Sequence, residues 1–90
     1  MKIRAKNREQ TVDMTLPVTD MDMQYYMKRI GIEDVMPVCC ISEVRDEPPY
    51  FGFLKGQTVN MDELNFFARR LDGMTEYEKR VVGVYSSETG

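Results

Sequence analysis

The side chains that could do chemistry in this chain are mainly carboxylates. Asp20, Asp22, Glu33, Asp34, Asp46, Glu47, Asp62, Glu63, Asp72, Glu76 and Glu78 fall at the starts of helix-like segments or in the loops between them. Cys39 and Cys40 are adjacent, and the sequence has no histidine. Histidine-based triads and histidine metal sites are therefore excluded. Neighbouring acids such as Asp46 and Glu47 are ordinarily just solvated, and no spacing suggests two carboxylates placed across a glycosidic bond. There is no glycine loop of the phosphate-cradling kind. On a strand the two thiols would point to opposite faces, and two thiols alone are too few ligands for a metal. The chain offers a charged shape rather than a reactive centre, so neither a catalytic residue nor a cofactor or metal is expected.

The charge is unevenly distributed. Lys2, Arg4, Lys6 and Arg8 against Glu9 give the first ten residues +3, and the other eighty carry −6, for a net charge of −3. An acidic body of that kind repels nucleic acid rather than wrapping it. The basic strip has two readings. One is a nucleic-acid stripe; the other is a solvated strand face whose edge cations discourage aggregation. No aromatic side chain is interleaved with the cations, as single-strand binders tend to have. Ninety residues suit one small domain. No apolar run reaches the ~18–20 residues of a membrane helix. The polar start, Met1–Gln10, does not read as a secretory signal, so a cytoplasmic protein is expected.

Elements must position these charges. Lys2–Lys6 and Thr11–Leu16 alternate polar and apolar residues and read as a β-hairpin, with Ile3, Val12, Met14 and Leu16 inward. Thr19 can cap a helix over Asp20–Ile30, with Met23, Tyr26, Met27 and Ile30 as its stripe and Gly31 closing it. Those methionines suit a core, or an adaptable binding groove. Val38–Val44 is the most strand-like stretch and should be the central strand. Asn60, with Glu63, opens a second helix whose stripe is Met61, Leu64, Phe67, Ala68 and Leu71, ending at Gly73 in a left-handed closing position. Thr75 and Glu78 open a third, with Tyr77, Val81 and Val84 or Tyr85 as its stripe and Glu76–Arg80 as an ion pair. The expected fold is α+β: a small three-stranded antiparallel sheet packed with three helices, the last two forming an αα-hairpin.

Arg45–Thr58 reads as a long loop. Its aromatic residues, Tyr50, Phe51 and Phe53, with Leu54, are too apolar to be left in water. At least two should fold back onto the core, or else they form an exposed docking patch.

Two runs together resemble a known family. One is Leu16-Pro17-Val18-Thr19 followed by a short helix ending in Ile30-Gly31. The other is Asp62-Glu63-Leu64-Asn65, with Ala68, Arg70 and Leu71, then Glu76-Tyr77-Glu78. In order and spacing they are similar to the ArdA-type antirestriction proteins of conjugative plasmids and transposons, across roughly Val12 to Ser87. The second run is the more specific. The resemblance implies an elongated, acidic, non-enzymatic mimic of double-stranded DNA that occupies the DNA-binding groove of type I restriction–modification enzymes. It also implies a relative of proteins that are usually several small domains long and dimeric. Its partner would be the restriction–modification enzyme, with no direct contact to nucleic acid or membrane, and its site would be the eleven carboxylates named above. The alternative is a small interaction domain of a mobile genetic element, docking through Tyr50, Phe51 and Phe53 without DNA mimicry.

Overall fold

The computed structural model describes residues 1–45 and 51–89, with the side chains of the last helix described as far as Val84. Asp46, Glu47 and Tyr50 lie outside the described residues. The elements run β1 (Lys2–Asn7), β2 (Gln10–Thr15), α1 (Asp20–Arg29), β3 (Val38–Val44), a 3-10 turn (Gly52–Leu54), β4 (Thr58–Asn60), α2 (Met61–Leu71) and α3 (Glu76–Thr89).

The fold is α+β, but the antiparallel sheet has four strands, in the order β2-β1-β3-β4, where the sequence suggests three. The extra strand is a three-residue one paired with β3 through Val38–Asn60, Cys39–Val59 and Cys40–Thr58. It is created by the open edge of β3 rather than by its own pattern. The approach is prepared upstream, where Ile41 bonds through its N–H to Gln57 and through its carbonyl to Gly56.

Alternation along β1 and β2 sends Ile3, Ala5 and Met14 inward. Along β3 the inward residues are Cys39, Ile41 and, partly buried, Val44, which breaks a strict period of two. A bulge accounts for it: opposite Arg4 and Ala5 stand Glu43 and Ile41, leaving Ser42 over, and the Ser42 hydroxyl donates to the Arg4 carbonyl.

Thr19 caps α1, accepting from the Asp22 N–H, and the helix closes in a Schellman motif. There Gly31, at φ 79°, donates to Lys28 O, and Ile32 donates to Met27 O. Asn7 reaches from the end of β1 to the Ile30 carbonyl at 2.7 Å, tying the helix end to the sheet. Asn60 caps α2, accepting from Asp62 and Glu63. The α2 stripe is inward as expected, with Met61, Leu64, Ala68 and Leu71 buried and Phe67 half-buried. Thr75 and Glu78 form a reciprocal capping box at the start of α3.

Two expectations about the C-terminal helices are corrected. Gly73 is not among the glycines with positive φ, and α2 ends instead in 3-10-type bonds, Gly73 N to Arg70 O and Met74 N to Leu71 O. In α3 the stripe Tyr77, Val81 and Val84 is exposed, and Gly83 with half-buried Lys79 and Val82 faces inward. Both sets fit a helical period, so spacing alone cannot choose the inner one. Glu76 meets Lys79 at 3.7 Å. Among the described residues no helix is long and apolar enough to cross a membrane.

Candidate functional site

A concavity of about 530 Å³ lies between α1, α2 and the connector from Ile32 to Pro37. Its floor is built from buried α1 residues Met23 and Met27, from Ile32, delivered there by the Schellman turn, and from Pro37. The Pro37 carbonyl accepts from Met61 N–H at 2.8 Å, which anchors the connector to the start of α2.

Four of the predicted carboxylates line this groove: Asp20, Glu33, Asp34 and Asp62. The cations beside them are Lys28 and Arg69. Arg69 is already engaged, donating to the Val18 carbonyl at 2.9 Å and lying 3.5 Å from Asp20. Glu33, Asp34 and Asp62 have no ion-pair partner among the described residues, and the four acids outnumber the two cations that line the groove.

The other predicted acids are placed elsewhere. Asp22 and Glu63 are exposed in the first turns of α1 and α2. Asp72 is the C-cap of α2, Glu76 is paired with Lys79, and Glu78 is used in the α3 capping box. Asp46 and Glu47 fall outside the described residues.

The wall between α1 and α2 is fixed by Asn65, which the sequence offered only as part of the family resemblance and not as a bridging residue. Asn65 is 3% exposed; its Oδ1 accepts from Val18 N–H and its Nδ2 donates to Val18 O, both at 2.9 Å. The signal was available, because Asn65 stands four residues after Met61, on the inward side of the stripe.

No family model matches this chain. Nor does any curated protein or solved structure.

Within the basic strip, Arg4 is paired with neighbouring acids. Arg4 meets Asp13 at 2.8 Å and Glu43 at 3.6 Å, and Arg45 meets Glu43 at 2.8 Å and Asp13 at 3.3 Å. The hydrogen bond from Arg4, helped by the charges of Arg4 and Arg45, holds the Asp13 carboxyl below its ordinary range. The bond from Arg45, with the charges of Arg4 and Arg45, does the same for Glu43. Two cations and two anions thus balance on the outer face of the sheet.

The aromatic loop turns inward. Phe51 is 4% exposed and meets Phe67 and Phe53 edge-on, with ring centroids 5.6 and 6.3 Å apart; Phe53 is half-buried. The alternative docking patch therefore lacks Phe51 as a surface residue.

Among the described residues no three acidic or cysteine side chains come together as metal ligands. Burial pushes the Cys39 thiol up to about 11, with a smaller contribution from Cys40, whereas Cys40 is half-buried on the opposite face. Iodoacetamide at about pH 8 should therefore label Cys40 first and reach Cys39 only on unfolding, because the thiolate is the nucleophile. Peptide mapping showing equal labelling of both in the folded protein would contradict the placement of β3.

Proposed function

We propose that this chain is an antirestriction-type module that binds a DNA-handling enzyme, a type I restriction–modification enzyme by the family resemblance, in place of DNA. The observation that supports it is the gathering of Asp20, Glu33, Asp34 and Asp62 on the rim of one groove, with three of the four lacking an ion-pair partner among the described residues. The cations Arg4 and Arg45 are paired with acids away from it.

Magnitudes limit the mimicry to a local one. A duplex as long as the protein's 36 Å axis would carry about twenty phosphate charges, against a net −3 here. The carboxylates would stand in for a few phosphates along one groove edge, not for a whole duplex. Binding should weaken steeply with salt, as the enzyme's own hold on DNA does. Single neutralisations should change little, since an exposed charge pair is worth only ~0–1 kcal/mol. Loss should accumulate, so that Asp20→Asn, Glu33→Gln, Asp34→Asn and Asp62→Asn together weaken binding about tenfold or more.

A competition assay with a purified type I enzyme and labelled duplex measures this. Failure to displace the duplex at low salt would overturn the proposal. Displacement that survives the fourfold change would move the contact to the other acids.

A further inference from the structure

The groove is more than an acidic rim, and its floor offers something a phosphate cannot use. Buried methionines line it, unbranched and polarizable side chains that adapt to an apolar guest. Val35, 96% exposed, stands at its lip. A volume of about 530 Å³ falls in the ~300–1,000 Å³ range of ligand pockets, so it holds more than a water or an ion. Among the charged side chains that line it, Asp20, Glu33, Asp34 and Asp62 outnumber Lys28 and Arg69.

We propose that this groove receives a cationic amphipathic segment of a protein partner. One or two large apolar side chains seat over Met23 and Met27, while flanking Lys or Arg residues meet Glu33, Asp34 and Asp62. The argument for that occupant is charge complementarity around an apolar floor, the arrangement by which an amphipathic helix is held in a groove. A nucleic acid is disfavoured by the same carboxylates and has nothing to bury against the methionines. The inference rests on the reading that the helix layer faces a cationic protein, and it adds an apolar anchor that DNA mimicry alone does not require.

The probe is a labelled helical peptide with leucines at positions i, i+3, i+4 and i+7 and lysine or arginine elsewhere, compared with a twin in which the leucines are serine. The expected result is about tenfold tighter binding of the leucine peptide, with shifts of the Met23 and Met27 methyl signals in protein labelled at methionine. Neutralising Glu33, Asp34 and Asp62 together should weaken it about tenfold. Gln24→Trp, at an exposed position on the groove wall, should block it while leaving the melting curve intact. Equal binding of both peptides, unmoved methionine methyls, or no binding would overturn the proposal. If the enzyme is still displaced in the competition assay, local carboxylate mimicry stands without the anchor. If the peptide seats and the enzyme is not displaced, the groove stands and the mimicry falls.

Discussion

Phe51→Ala is expected to cost about 3–5 kcal/mol of folding free energy. The ring is 4% exposed and lies just before the 3-10 turn that leads into β4. It touches Phe67 of α2 nearly perpendicularly, at 87°, and Phe53 at 60°. Truncation removes the transfer free energy of the ring, opens a cavity, and breaks two edge-to-face pairs worth ~0.5–1.5 kcal/mol each beyond area. Phe53→Ala, at a half-buried position, should cost less, about 1–2 kcal/mol. With total stabilities of about 5–15 kcal/mol for domains, the first change endangers the fold and the second does not. Urea melts should show a lower midpoint at unchanged slope. A Phe51→Ala melt within about 0.5 kcal/mol of the parent would mean that the ring is not core, and would reopen the aromatic docking reading. The displacement of duplex proposed for the acidic groove should survive Phe53→Ala, because Phe53 is not among the residues that line it.

Much of the frame was legible because short-range rules governed it. The caps at Thr19 and Thr75, the closing Gly31, and the inward sets of β1, β2, α1 and α2 follow from spacing and turn chemistry. Features set by a neighbouring element were not legible. β4 exists because β3 offers it an edge. The Ser42 bulge is a matter of register against β1, invisible in one strand alone. The inner face of α3 is chosen by how the helix lies on the rest, and two faces satisfied the same period. The candidate site divides in the same way. Its acids could be named from the sequence, but that Asp62 would line one groove with Glu33 and Asp34, while Asp72 and Glu78 serve helix ends, depends on how α1 and α2 pack.

Asn65 carries the second large effect, because it holds those two helices in that relation. Its amide pairs with both backbone groups of Val18, as a strand neighbour would, and Arg69 one turn on shares the Val18 carbonyl. Asn65→Leu keeps the branched outline but leaves the Val18 N–H without its acceptor and the carbonyl with Arg69 alone. An abandoned buried polar group costs ~1–3 kcal/mol, so about 2–4 kcal/mol is expected for the two lost bonds. Asn65→Asp is the sharper test. The carboxylate would keep the bond from Val18 N–H but face the Val18 carbonyl with a second acceptor, in a site 3% exposed. Protonated, it could donate to that carbonyl instead. Its folded pKa is then raised above the unfolded value, so its stability is fully present below the unfolded carboxylate pKa and lost as pH rises through the folded one. Relative to the parent, the Asn65→Asp protein should gain stability on acidification, opposite in sign to the effect of Asp13 and Glu43, whose lowered pKa values make acid destabilising. Melts of both proteins between about pH 4 and pH 7.5 measure the difference. Parallel pH profiles together with an Asn65→Leu melt within about 0.5 kcal/mol of the parent would show that Asn65 does not bridge α2 to Val18, since Arg69 on the same carbonyl opposes the effect of burial on the carboxylate. The groove would then lose the strut that fixes its walls, and with it the reason for Asp20 and Asp62 to share one rim.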